Sequence, residues 1–199
     1  MLTKMKFDQT YWEHRYKEEK TAWDIGYPSP PLTTYIDQLE DKNLEILIPG
    51  AGYGHEAIYL HKKGFKKVSV VDLAQTALQN IAEKCPDYPE NRLIMADFFE
   101  LQGSYDLIVE QTFFCALNPM LRKAYVVKMK QLLKPKGKLA GVFFDFEKTE
   151  DGPPFGGSQK EYKALFEPHF IIKTLQRCHN SIKQRQCSEL FFIFENTKN

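Results

Sequence analysis

Glu45-Ile46-Leu47-Ile48-Pro49-Gly50-Ala51-Gly52-Tyr53-Gly54-His55-Glu56-Ala57 is the stretch from which the rest of the chain takes its order. Its apolar start, residues 46–48, has the length and character of a short buried strand. Gly50, Gly52 and Gly54 then alternate with other residues. Residues 55–63 place Ala57, Ile58 and Leu60 along a helical face that ends at Gly64. Strand, glycine turn and helix are how a doubly wound sheet opens a nucleotide site at the carboxyl end of its first strand. Glycine lets the backbone approach a ligand and adopt φ values that a Cβ forbids. A glycine turn also serves as a plain connector, so the fold class rests on the residues around it.

The 199 residues suffice for one α/β domain, and 43% of them are apolar. The formal charge is +1 and no run of five like charges occurs, which points away from nucleic acid or a membrane as partner and toward a small molecule. Cys85, Cys115, Cys178 and Cys187 contain no Cys-x-x-Cys pair, and the five histidines show no zinc spacing. No metal site is expected. Residues 1–8 are short and mixed, unlike a signal peptide, and the apolar runs fall far below membrane length. A reducing, cytoplasmic setting follows as the expectation.

An aromatic leader precedes the glycine stretch: Phe7, Tyr11, Trp12, Tyr16 and Trp23. Trp12 and Tyr16 are i,i+4 neighbours on a helix that either packs on the domain or covers a ligand. Ser29 is placed to cap a helix over 30–39 with prolines in its first turn. Residues 67–73 read as a second strand ending in Asp72 and Leu73. Asp72, eighteen residues after Gly54, either accepts hydrogen bonds from the ribose hydroxyls of an adenosine or caps the helix 74–84. A third strand, 91–96, runs into Asp97 and Phe98, an acid and a phenyl ring suited to an adenine, or simply a turn and a core residue. A fourth strand, 105–109, carries Glu110, Gln111, Thr112, Phe113 and Phe114 off its end. Residues 118–133 should be helical, 134–137 a turn and 138–144 a fifth strand. The Gly/Pro-rich loop 145–159 forms a pocket wall or a connector. A short helix, 161–166, and two strands, 170–178 and 189–195, close the chain. Nothing helical separates those strands, so they should form a hairpin. The expected fold is α/β: a doubly wound, mostly parallel seven-stranded Rossmann-like sheet with a C-terminal antiparallel hairpin strand. It is one domain, with an N-terminal helical lid over 1–40, a core over 45–145 and a loop and hairpin over 146–199.

Four motifs carry a family resemblance: Trp12-x3-Tyr16-x6-Trp23-Asp24-x-Gly26; Pro49-Gly50-x-Gly52-x-Gly54-His55; Phe113-Phe114-Cys115-Ala116-Leu117-Asn118-Pro119-x2-Arg122; and Leu132-Leu133-Lys134-Pro135-x-Gly137 with Gly152-Pro153-Pro154-Phe155. With them the chain resembles S-adenosylmethionine-dependent class I methyltransferases of the thiopurine methyltransferase superfamily, and within it the plant-type thiol and halide (thiocyanate) methyltransferases. The resemblance implies S-adenosylmethionine as cofactor and S-adenosylhomocysteine as product. It implies a cofactor site of Trp12, Tyr16, Trp23, Gly50, Gly52, Gly54, Asp72, Leu73, Asp97, Phe98 and Gln111. The chain departs from the plant-type pattern at Tyr16, where those enzymes carry tryptophan, and at Gln111, where they carry tyrosine. Arg122 is similar to an arginine near the cofactor or acceptor in thiopurine methyltransferases; as a residue of this sequence alone it also reads as a surface charge.

The implied reaction is direct in-line displacement of the sulfonium methyl by a thiol or similar soft anion. Such an acceptor needs no dedicated general base, and no catalytic residue is named. Tyr11, Phe114, Arg122 and Phe155 form the expected acceptor wall. Two alternatives stand beside this reading. One is a protein that binds the cofactor without catalysis. The other is an NAD-dependent oxidoreductase, since Gly52-x-Gly54-x-x-Ala57 also satisfies the loose dinucleotide fingerprint.

Overall fold

The strand Ile46–Pro49 (β1) has all four side chains buried, the property of a parallel strand covered on both faces. Ile46 and Ile48 enter one core with Leu32, Ile36, Leu60 and Ile81. Leu47, pointing the other way, enters a second with Tyr125, Met129 and Phe166. The computed structural model describes residues 7–150 and 152–197. Residues 1–6, Asp151 in the Gly/Pro-rich loop and residues 198–199 lie outside them, so the expectation for the start of the chain falls largely there.

Around β1 the chain forms a seven-stranded sheet in the order β3-β2-β1-β4-β5-β7-β6. The strands are β2 (Val68–Asp72), β3 (Leu93–Met95), β4 (Tyr105–Gln111), β5 (Leu133–Phe144), β6 (Phe170–Arg177) and β7 (Glu189–Asn196). The first five pair parallel. β7 inserts antiparallel between β5 and β6, from Lys138 opposite Glu195 to Phe144 opposite Glu189. The fold expected from the sequence is the one observed. The helices α2 (Pro30–Ile36), α3 (His55–Lys62) and α4 (Gln75–Lys84) supply the first core, and α5 (Arg122–Leu132) and α6 (Gln159–Phe166) the second. The second core is aromatic. Phe143 stacks on Phe192 at 4.0 Å, and Phe192 on Phe194 at 4.6 Å. The remaining helix, α1 (Gln9–Lys17), lies across the carboxyl ends of the strands.

Three local expectations are corrected. Residues 134–137 are no turn: β5 starts at Leu133 and carries them as a bulge, because Tyr105 pairs Leu133 while Leu107 already pairs Lys138. Asn196 supports the bulge by donating to the carbonyls of Leu133 and Lys134. Ser29 holds the N-cap position of α2 but makes no side-chain cap bond; its N–H donates to Glu56 Oε1 at 2.9 Å. α2 also stops at Ile36 rather than 39; its C-cap Asp37 pairs with Lys63 at 2.7 Å and accepts from Tyr59 at 2.8 Å.

Candidate functional site

The carboxyl ends of β1, β2 and β4 open into a cavity of about 1290 Å³ that α1 roofs. Its floor begins at the glycine turn. Gly50 has φ +73°, and a Cβ there would lie 2.6 Å from the Phe113 ring. Gly54, at φ +75°, is the N-cap of α3, and a Cβ there would meet Ile81 of α4 at 2.2 Å. Both positions therefore require glycine for backbone angle and for space.

Asp72 ties the turn to β2. Its Oδ2 accepts from Ala51 N at 2.7 Å and its Oδ1 from Ala74 N at 2.8 Å. Burial pushes its carboxyl up to about 6 even though these backbone donors pull the other way. Asp72 thus organises the turn and lines the cavity at once. At the end of β3, Asp97 Oδ1 accepts from Phe99 N at 2.8 Å, and Phe98 meets Phe113 edge-on at 5.1 Å.

β4 supplies the innermost wall. Gln111 lines the cavity, and its Oε1 is buried without a hydrogen-bond partner among the described residues. Thr112 follows at φ +59°, a left-handed conformation that β-branched residues rarely adopt. Glu110, fully buried, holds the corner in place. Its Oε1 accepts from Phe113 N and Phe114 N at 2.8 and 2.9 Å, and its Oε2 from the Tyr125 hydroxyl at 2.6 Å. Burial pushes the Glu110 carboxyl up to about 7 against those three donors.

The roof is aromatic and clamped. Asp8 caps α1 by accepting from Tyr11 N. Glu13 reaches from α1 to the start of α4 and accepts from Thr76 N at 3.2 Å and Thr76 Oγ1 at 2.6 Å. Rings follow one another edge-on: Tyr11 to Trp12 at 5.0 Å, Trp12 to Trp23 at 5.7 Å, Trp23 to Tyr16 at 5.6 Å. Arg185, from the β6–β7 connection, fixes Trp23 by donating to its carbonyl at 2.8 Å.

Of the residues singled out in the sequence, Tyr11, Trp12, Tyr16, Trp23, Gly50, Asp72, Leu73, Asp97, Phe98 and Gln111 line this one cavity. Gly52 and Gly54 shape the turn without lining it; Gly52 lies beneath Trp23, where a Cβ would stand 3.7 Å from the indole Nε1. Phe114, Arg122 and Phe155, expected on the acceptor wall, stand behind it. Phe114 is 1% exposed, with Tyr125 and Phe143 at 4.9 Å on either side. Arg122 is no surface charge either: it is 3% exposed, pairs with Glu161 at 2.9 Å and donates to the Gly156 carbonyl at 2.7 Å. Phe155 donates its N–H to Cys115 O at 2.7 Å and is buried, its ring edge-on at 5.8 Å to Phe7, which itself lines the cavity with Pro153 and Pro154. The sequence reading missed Arg15 and Arg185, both of which line the cavity. Arg15, three residues after Trp12, was legible as a neighbour on the same helix face. Arg185 sits in a polar connection whose spacing carries no such signal.

Comparison with known proteins agrees with this architecture. The profile of the family Thiopurine S-methyltransferase (TPMT) matches residues 7–197. A probable thiol methyltransferase 2 of Arabidopsis thaliana is 30% identical over 162 residues, covering 79% of this chain and 71% of that protein. A thiopurine S-methyltransferase of Vibrio cholerae is 27% identical over 177 residues, covering 80% and 81%. Among solved structures, the Burkholderia thailandensis 1,6-didemethyltoxoflavin-N1-methyltransferase, with bound 1,6-didemethyltoxoflavin and S-adenosylhomocysteine, superposes with a TM-score of 0.75 at 18% identity over 96% of this chain and 87% of that one. The seven-stranded sheet with its inserted antiparallel strand and the match across residues 7–197 make the chain a member of the thiopurine S-methyltransferase family, and so an S-adenosylmethionine-dependent methyltransferase.

Proposed function

We propose that the protein transfers the methyl group of S-adenosylmethionine to a small thiol or comparable soft anion, in the cavity beneath α1. One observation carries this reading: a single cavity joins two carboxylates, Asp72 and Asp97, to an aromatic roof of Tyr11, Trp12, Tyr16 and Trp23. The donor set suits the cofactor. Each Asp72 oxygen keeps a lone pair after its backbone bond, enough for the ribose hydroxyls. Asp97 and Phe98 offer an acceptor and a ring for the adenine. The unpartnered Gln111 Oε1 is an acceptor for the ammonium group. Indole and phenol faces attract a sulfonium as they do other cations.

When bound, the cofactor supplies a methyl already activated by positive sulfur, so the chain's own task is alignment and exclusion of water. Holding two reactants in line is worth about 7–11 kcal/mol of barrier. The residues lining the cavity include no histidine, the commonest general base. A nucleophile that is already anionic needs none. The name of the Arabidopsis relative, a probable thiol methyltransferase, favours the same acceptor class. A cytoplasmic setting is part of the proposal, supported by four unpaired cysteines, of which Cys85 and Cys115 are buried.

The test is thermal unfolding with S-adenosylmethionine, S-adenosylhomocysteine or NADH, followed by transfer of labelled methyl to a thiol panel. At about a hundred times Kd each adenosyl compound should add about 2.7 kcal/mol, raising the midpoint by roughly 5–10 °C, with no rise for NADH. Absence of a shift with both adenosyl compounds overturns the site. A shift without thiol methylation overturns the acceptor class.

A further inference from the structure

We propose that His61, Cys85 and Asp87 form a binding site for a thiophilic divalent cation of the zinc class. None of the three lines the methyl-transfer cavity. His61 lies in the last turn of α3, Cys85 is the C-cap of α4, and Asp87 stands two residues beyond. His61 Nε2 is 3.0 Å from Asp87 Oδ2, Cys85 Sγ is 3.2 Å from Asp87 Oδ1, and the three ligand atoms lie within 4.8 Å of one another. One imidazole, one thiol and one carboxylate are the donor types that tetrahedral zinc accepts. Its bond lengths set neighbouring ligand atoms about 3.4–3.6 Å apart, so small side-chain rotations suffice.

The surroundings hold the ligands in place. Pro86, between Cys85 and Asp87, restricts the backbone of the turn. Tyr88 N donates to Cys85 O at 2.9 Å and closes the turn. The Tyr88 hydroxyl anchors it to Val68 O of β2 at 2.9 Å, and the Tyr88 ring lies 5.2 Å from the His61 imidazole. His61 and Cys85 are buried, whereas Asp87 reaches water with 79% of its side chain exposed. Three protein ligands with one side open to solvent leave the fourth position to water. The sequence hid this arrangement, because His61 and Cys85 are twenty-four residues apart and converge only where two helices end side by side. On binding, the Cys85 S–H proton leaves to solvent and the sulfur lone pair forms the bond to the metal; no oxidant or reductant is involved.

The experiment is titration of the chelator-stripped full chain with zinc ions against a chromophoric competitor, repeated with cobalt(II) as a spectroscopic probe. One equivalent should bind, with a thiolate-to-cobalt charge-transfer band. Cys85→Ser should abolish the band and weaken binding by at least about 100-fold, and Asp87→Asn, at an exposed position, by at least about tenfold. No stoichiometric binding by the wild-type chain overturns the proposal. So does a band that survives Cys85→Ser, which would place the metal on another cysteine. Should Cys85→Ser fail to fold, Asp87→Asn decides: unchanged zinc affinity beside a lowered unfolding midpoint leaves the trio as a hydrogen-bonded tie between two helices. Neither readout depends on methyl transfer, so the outcome stands apart from the assignment of the cavity.

Discussion

Asp72 shows how one side chain serves two demands. With its carboxyl at about 6, the protein without ligand holds a proton there in mildly acid solution. On the proposed reading the ribose hydroxyls bind the ionised form of Asp72, so ligand binding would expel that proton. Cofactor affinity should therefore be constant above about pH 6 and fall by up to about tenfold per unit below it. Calorimetric titration with S-adenosylhomocysteine across that range checks this, and Asp72→Asn should bind weakly with no such dependence. Glu110 makes a second prediction. Its folded value of about 7 lies above the ordinary carboxylate value. The folded chain thus binds the proton more tightly, and this group's contribution to stability falls as pH rises through about 4 to 7. Glu110→Gln keeps an oxygen for Phe113 N and Phe114 N, so relative to wild type it should gain on the order of 3 kcal/mol between those limits. Denaturant unfolding at both ends of the range measures the gain; equal differences at the two pH values would place the titration elsewhere. Asp72 was legible in the sequence because it ends a strand at a familiar distance from the glycines. Glu110 was not, because its role depends on the Tyr125 hydroxyl fifteen residues on.

At the scale of elements, the roof helix is held by its own clamp as well as by ring contacts. Glu13→Ala frees Thr76 N and Oγ1 and loosens α1 over the cavity. Cofactor Kd should rise about 5- to 20-fold while the midpoint of the ligand-free protein falls by only a few degrees, since the two partly exposed bonds contribute about 1 kcal/mol each. Affinity equal to wild type would assign the roof's position to ring packing alone. The glycine turn gives the opposite case. Gly54→Ala introduces an unfavourable backbone angle and a 2.2 Å collision with Ile81. It should cost about 2 kcal/mol or more, and Ile81→Ala in the same chain should fail to restore wild-type stability because the φ cost remains. Glycine turn, aromatic helix and terminal hairpin were readable from spacing. The β5 bulge was not: Lys-Pro-Lys-Gly is ordinary turn chemistry, and the chain carries it as an unpaired bulge between Leu133, paired with Tyr105, and Lys138, paired with Leu107. Phe114 was misplaced because adjacent positions on a short helical turn face different ways, and the sequence does not say which of Phe113 and Phe114 looks into the cavity; Arg122 was misplaced because its partners, Glu161 and the Gly156 carbonyl, lie more than thirty residues on.

Across the whole molecule, the roof of the site is held from opposite ends of the chain. The roof begins before residue 20, while Arg185, which fixes Trp23, belongs to the last connection. The strand order has a consequence for how the protein is made. β7 is the sole sheet partner of β6 and one of two partners of β5, yet it follows both in sequence. A chain ending at residue 188 should therefore show no cooperative unfolding transition, and a sharp calorimetric transition in that fragment would disprove the dependence. On the ribosome, the five parallel strands emerge first and wait with the edge of β5 uncovered, a template for pairing with any neighbouring nascent chain. Slow translation through the hairpin would lengthen that exposure, so solubility during synthesis should respond to codon choice near residues 170–196 more than to changes anywhere in the first half.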